Sequence, residues 1–253
     1  MGSVGKQYMR AIYERYLYLA AWLPNANLRI GDVGIQQGEE FKQMTTLKDL
    51  GIPFRVRKGK DPLEFTYTSG SGVKIQTKLA GELAVGTTLP LGEAGISLRF
   101  SEEAGFVFKA VGCLIDEIDN KAALGQAVVT LAKAGMWEPG WAVIDTLVHA
   151  ESATIVVSNS GSASLDLTAK VPVTLANLAN LDTGLSANSQ TGEMIQFIAA
   201  KGLTPMFGLS RVKQSLLSKF LGDSSGITFG GASTDEPAEA STDETVLEPV
   251  APE

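Results

Sequence analysis

The chain has 253 residues, 44% of them hydrophobic, enough to bury a substantial core as one large domain or two closely joined ones. Its net charge of −7 is uneven: seven of the 28 acids lie after Gly231 with no Lys or Arg among them, which leaves 21 acids against 21 bases in the body. A neutral body lacks the basic field that recruits phosphates, which argues against nucleic-acid binding. A single cysteine, Cys113, excludes an internal disulfide framework, and no run nears the ~18 uninterrupted apolar residues of a spanning helix.

The opening stretch MGSVGKQYMRAIYERY lacks the apolar core and cleavage site of a signal peptide, and Lys6 stands where myristoylation needs Ser or Thr. A cytoplasmic location is expected. From Lys6 to Leu23 the residues Ile12, Tyr16, Leu19 and Leu23 recur at helical spacing, and Pro24 stops the pattern. This predicts a first helix packed on a sheet, with tyrosine hydroxyls reaching its rim.

FRVRKGKDPLEFTYTSGSGVKIQTKL, from Phe54 to Leu79, reads as strand, turn, strand, turn, strand, with turns at Lys58-Gly59-Lys60 and Ser69-Gly70-Ser71-Gly72. In the third strand Val73, Ile75 and Thr77 alternate with Lys74, Gln76 and Lys78, so one face meets water. GISLRF and GFVFKAV are further strands joined at Ser101–Gly105. A second helix follows in DEIDNKAALGQAVVTLAKAGMW, with Asp119 or Asn120 as cap, Leu124, Val128 and Leu131 on one stripe, and Gly135 as the stop. Strands resume with WAVIDTLVHA, SATIVVSNS, SLDLTAKV and EMIQFIAAK. After Pro205, the residues Leu209, Val212, Leu216 and Phe220 form an apolar stripe edged by Lys213, which predicts a third, amphipathic helix for docking, a partner or a membrane. Beyond Phe229 the acidic, Pro/Ser/Thr-rich sequence is expected to be disordered.

The SGSG and SNSGS turns, at 69–72 and 158–162, are each followed by an alternating strand and a leucine-rich connection. Gly95-Ile96-Ser97 is echoed by Gly184-Leu185-Ser186, and Phe108-Lys109-Ala110 by Phe197-Ile198-Ala199. These echoes suggest an internal duplication of roughly 63–113 in 153–203. The expected fold is therefore α+β: β-rich, with largely antiparallel sheets from an internal pseudo-duplication, three main helices and a disordered acidic tail. Residues 1–229 form one globular domain in this reading, and 230–253 form the tail.

The sequence carries no catalytic, metal or nucleotide motif, and no catalytic residue, metal ligand or cofactor is assigned. Cys113 lies in the apolar run AVGCLI, where thiols are inert, and His149, the lone histidine, cannot build the common zinc sites. Asp116, Glu117 and Asp119 precede a helix, where acids are favoured by the exposed amides. One basic concentration stands out: Arg55, Arg57, Lys58 and Lys60, a candidate anion or lipid-headgroup tip whose plainer reading is a solvated hairpin. The favoured function is a non-enzymatic cytosolic binding or assembly protein, acting through its β-surface and terminal amphipathic helices on a protein partner or on itself. The alternative is a membrane-acting effector, a soluble pore-forming protein whose amphipathic hairpins refold into a barrel. A hydrolase using Cys113 is a distant third.

Overall fold

A computed structural model describes residues 3–24, 27–70, 72–82, 85–213 and 246–252. Its first element is α1 (Val4–Tyr16), started by Ser3, whose hydroxyl accepts the Lys6 N–H at 3.2 Å. The helix is shorter than the periodicity predicts. Leu17 adopts a left-handed conformation at φ +62° and its N–H closes on the Tyr13 carbonyl. The next residues, β1 (Leu19–Ala20), pair as a strand with Phe207 and Met206. As expected for a helix on a sheet, Tyr8, Met9 and Ile12 are buried, and Tyr16 Oη donates to the Thr66 carbonyl at 2.8 Å.

Two antiparallel sheets follow. The strands are β2 (Asp32–Gln37), β3 (Glu40–Thr46), β4 (Val56–Arg57), β5 (Leu63–Thr68), β6 (Val73–Lys78), β7 (Ala94–Phe100), β8 (Phe106–Ile118), β9 (Ala142–Ser158), β10 (Ser164–Ala169), β11 (Ser186–Thr191), β12 (Met194–Val212) and β13 (Leu247–Pro249). The large sheet has β9 at its centre, flanked by β12 on one side and by β2 and β8 on the other, and β8 in turn carries β4 and β5. The small sheet runs β11-β10-β7-β6. Between β8 and β9 stands α2 (Lys121–Lys133), which seats Leu124, Val128 and Val129 against Val33, Ile118 and Val143. Its start is where the sequence puts it, but Asn120 does not cap it: the Asn120 carbonyl oxygen of the side chain accepts the Arg55 N–H instead.

Three expectations are corrected. First, two helices are present among the described residues and not three: Leu209 and Val212, the start of the proposed amphipathic helix, belong to β12, paired across from Ile144 and near Ala142 of β9. Leu209/Val212 spacing fits a helix locally, but the open edge of β9 offers a strand partner, and tertiary pairing outweighs local preference. Lys213 follows the strand, while Leu216 and Phe220 lie outside the described residues.

Second, residues 246–252 are not a free tail, while the rest of the stretch read as disordered, 230–245 and 253, lies outside the described residues. Strand β13 pairs with Ser210–Val212, Arg211 Nε bonds Glu248 at 2.9 Å, and Val246 and Leu247 pack beside Gly125 of α2. Two apolar residues, Val246 and Leu247, and a ladder partner offset the ordering cost that the acidic composition suggested would win.

Third, no internal repeat is shown. Gly95 sits inside β7, whereas Gly184 ends a 3₁₀ turn at φ +58°. Phe108 is buried in a regular ladder, whereas Ala199 lies in a bulge of β12 at φ +45°. The echoes are what any two antiparallel hairpins share.

Candidate functional site: a crease through two hairpins

The Ser-Gly-Ser stretches do not close hairpins; they bend continuous arms. Strand β5 pairs with β8, and β6 pairs with β7, so SGSG carries one arm from the large sheet into the small one. The same passage occurs three more times, from β7 to β8, from β9 to β10 and from β11 to β12. The four arms are thus 63–78, 94–118, 142–169 and 186–212. Their neighbour order is identical on both sides of the bend: β5-β8-β9-β12 in the large sheet and β6-β7-β10-β11 in the small one.

The four bends lie side by side as one crease. Ser69 N donates to the Phe106 carbonyl at 3.0 Å while the Ser69 hydroxyl accepts the Phe106 N–H at 2.7 Å. Ser101 N donates to the Gly72 carbonyl, Ala104 N to the Ser158 carbonyl and Asn159 N to the Glu193 carbonyl. Ser158 turns its own arm, its hydroxyl accepting the Ser160 N–H. At the fourth bend Gly192 has φ +74°, and a Cβ there would lie 2.9 Å from the Ala163 Cα, so only glycine fits. Serine and glycine are what this place requires: short hydroxyls to satisfy amides that leave their ladders, and no side chain where two arms cross.

Folding at the crease lays the small sheet on the large one. Ile96, Leu98, Phe100, Leu165 and Leu167 are buried against Val107 and Val156, with Val173 and Leu178 from the β10–β11 connection. That connection is held by Thr154, whose hydroxyl donates to the Leu178 carbonyl at 2.8 Å. Burying such side chains stabilises the bent form by about 1.5–3 kcal/mol each in water.

The other face of the small sheet is polar and carries a buried ion pair. Arg99 and Asp166 lie 2.8 Å apart, and Thr88, from the β6–β7 connection, donates both its N–H and its hydroxyl to Asp166 at 2.9 and 2.6 Å. Asn188 of β11 donates to the Thr88 carbonyl at 2.9 Å, so four segments meet at one carboxylate. Burial opposes the charge on Asp166, but hydrogen bonds from Arg99 and Thr88 outweigh it and hold the carboxyl well below the usual range. Sequence reasoning missed this latch. The one signal was an acid between two leucines in SLDLTAKV; nothing in the sequence places Arg99 or Thr88 beside it.

The residues singled out from the sequence fall elsewhere. Arg55, Arg57 and Lys58 are each bonded to an acid of β8 or of the residue that follows it: Asp119 at 3.2 Å, Glu117, and Asp116 at 2.6 Å, respectively. The acids expected to favour a helix start therefore serve a β4–β8 contact. Lys60 is exposed. Asp116 also lies 3.3 Å from His149 Nε2; His149 is exposed, whereas Cys113 is buried. Cys113 is fully buried, and burial raises its thiol to about 12, so it stays protonated at neutral pH. Leu209 packs in the α1 core and Val212 against α2.

No protein-family model matches this chain, and no curated protein matches it. Among solved structures it is similar to a bacterial gasdermin from Bradyrhizobium tropiciagri, with 16% identity and a TM-score of 0.35 over 81% of this chain and 86% of that one. It is also similar to the gasdermin A3 membrane pore, with 11% identity and a TM-score of 0.26 over 83% of this chain and 90% of that one. Similarity this low settles neither fold nor function.

Proposed function

We propose that this protein acts on membranes, by straightening its four arms at the crease and inserting them as two β-hairpins in a barrel built by several copies. The observation that carries this is the unchanged neighbour order across the crease. Straightening needs no strand to exchange partners, because each arm already has the same neighbours above and below the bend. Each arm exceeds the ~9–11 residues that a transmembrane strand needs.

The small sheet supplies the two-faced pattern of a barrel wall. Val73, Ile75, Ile96, Leu98, Leu165 and Leu167 alternate with Lys74, Gln76, Ser97, Arg99, Ser164, Asp166 and Thr168. In the first set Ile96, Leu98, Leu165 and Leu167 are buried against the large sheet in water and Val73 and Ile75 are half-buried there, so the set loses nothing on transfer to hydrocarbon; the second suits a wet lumen. Strand β11, SANSQT, is polar on both faces and is the exception.

An isolated four-stranded ribbon would leave edges unpaired in lipid, so the reading requires self-assembly. The edges allow it. The small sheet has β6 at one side and β11 at the other, and four alternating strands make them run in opposite directions. A β11 edge against the β6 edge of a second copy is therefore an antiparallel, head-to-tail contact that closes into a ring.

The β13 strap pairs with the β12 arm and forms part of the wall of a cleft of about 660 Å³ beside Tyr13, Leu17 and Lys121. It therefore restrains one of the arms that must move. The test is dye release from vesicles by the full chain and by a chain ending at Thr245. The strap-free chain should release dye at least tenfold faster and form rings visible on vesicles by electron microscopy. Intact vesicles and no rings with both chains would overturn the proposal.

A further inference from the structure

We infer that first contact with the bilayer is made by the two connections between arms, through an apolar patch of Leu79, Leu91 and Val171, and that the partner is the hydrocarbon side of the interface and not anionic headgroups. The inference rests on the membrane reading above and adds which end leads and what lipid chemistry it needs.

Leu79, Leu91 and Val171 are 50, 73 and 42% exposed. Two of them belong to the connection between β6 and β7, and the third to that between β10 and β11. These connections are the leading ends of the two proposed hairpins. They are also neighbours: Ala80, Gly92 and Glu93 of the first and Lys170, Pro172 and Gly184 of the second line one shallow cleft. Residues adjoining Leu79, Leu91 and Val171 thus share a wall, which places the three around a single spot. The other large apolar residues exposed among those described fall elsewhere: Leu17, Leu23, Met44 and Met136 on separate stretches, Leu63 and Leu114 on the paired strands β5 and β8, and Val85 beside Gly86, whose carbonyl accepts from Arg99 at 3.4 Å. Single exposed apolar side chains need no partner, but a cluster does.

The patch is held from beneath by polar contacts and not by its own side chains. Lys78 Nζ is buried and donates to the carbonyls of Pro90 and Glu93, the latter at 3.1 Å. Thr88 is tied to Asp166, and Lys170 N donates to the Thr183 carbonyl at 2.9 Å. The apolar side chains are left for another surface.

Charge decides which lipid chemistry that surface has. The first connection contains Glu82 and Glu93 and no Lys or Arg; the second contains Lys170 and Asp182. Two further cations reach the first connection: Lys78, which is buried, and Arg99, which donates to the Gly86 carbonyl at 3.4 Å and is paired with Asp166. An end with this balance gains nothing from a negative surface potential. Insertion of Leu and Val at the interface gains from hydrocarbon alone, whatever the headgroup.

The experiment is co-sedimentation of the full chain with vesicles of phosphatidylcholine, alone and with phosphatidylserine added, alongside dye release by the chain ending at Thr245. Wild type should bind both vesicles within about twofold of each other. Leu91→Asp/Val171→Asp should lower binding and dye release at least tenfold while leaving the melting temperature unchanged, because both sites are exposed. An environment-sensitive fluorophore on Leu91→Cys should shift to the blue with vesicles; the buried Cys113 leaves that site the one labelled. The same label on Met136→Cys should not respond.

A double variant that binds and releases dye like wild type would overturn this inference while leaving the membrane reading intact. So would binding that requires phosphatidylserine, or a fluorophore shift that needs only higher protein concentration and no vesicles, which would make the patch a contact between copies. Wild type and strap-free chains that neither bind nor release dye would remove both.

Discussion

On one face of the large sheet, α1 seats Tyr8, Met9 and Ile12 against Phe106, Phe108 and Ile155; on the other, the small sheet seats Ile96, Leu98, Leu165 and Leu167 against Val107 and Val156. The first contact is aromatic and interlocked. Tyr8 meets Phe106 edge-on at 5.1 Å, Tyr67 meets Phe106 at 5.3 Å, and Tyr16 meets Phe65 at 5.0 Å. The second is mainly aliphatic and fastened at its margin by polar groups, Asp166 with Arg99 and Thr88, and Thr154 with the Leu178 carbonyl. Aromatic side chains in fitted pairs lose both area and geometry on separation. Aliphatic side chains lose area alone, and any apolar medium restores it. In the membrane reading proposed above, the α1 face stays as the core and the small-sheet face opens.

The largest effect that would break this contrast comes from matched truncations. Phe106→Ala should cost about 3–5 kcal/mol and Leu98→Ala about 2–4 kcal/mol. The locations should differ more than the sizes. Hydrogen exchange should show Phe106→Ala lowering protection across the whole large sheet, and Leu98→Ala lowering it in β6, β7, β10 and β11 while β8 and β9 remain protected. Equal loss of protection everywhere in Leu98→Ala would make the two faces one cooperative unit and end the comparison.

A smaller effect sharpens it. Asp166→Asn should cost about 2–3 kcal/mol, below the 3–5 kcal/mol of a fully enclosed pair because the Arg99 side chain is 28% exposed. The folded carboxyl titrates below its ordinary value, so its contribution is present above the unfolded value of about 3.9 and is lost as pH falls through the folded one. Wild type should lose small-sheet protection as pH drops below about 4. Asp166→Asn should be weaker at pH 7 and lack that acid-linked step. An identical pH profile in the two would show that the latch lies outside this carboxylate.

The smallest effect concerns the basic tip. Arg57→Glu should lower stability by no more than about 1 kcal/mol, since its pairing with Glu117 is at the surface. Salt should reduce the difference. Vesicle binding should be unchanged, because the acids of β8 and Asp119 already neutralise three of the four cations there. Loss of binding would move the lipid contact from the end of the hairpins to this corner.

Local periodicity determined α2, where Leu124, Val128 and Ala132 lie one turn apart and are all buried, and the alternation of β6, in which Val73 and Ile75 share a face. It also determined that chain direction changes at 69–72 and 158–162, because Ser and Gly are suited to backbone that leaves a ladder. Whether such a stretch closes a hairpin or creases an arm is decided by which strand lies alongside. That is a contact at long sequence separation, and Ser69 reaching Phe106 is written in neither residue. The same reason explains why Leu209 and Val212 became strand, why Leu17 ended α1 early and why Asp166 found Arg99. Helical spacing and turn chemistry are properties of neighbours in the chain. Pairing, burial of charge and the level crease across four arms belong to the assembled sheets.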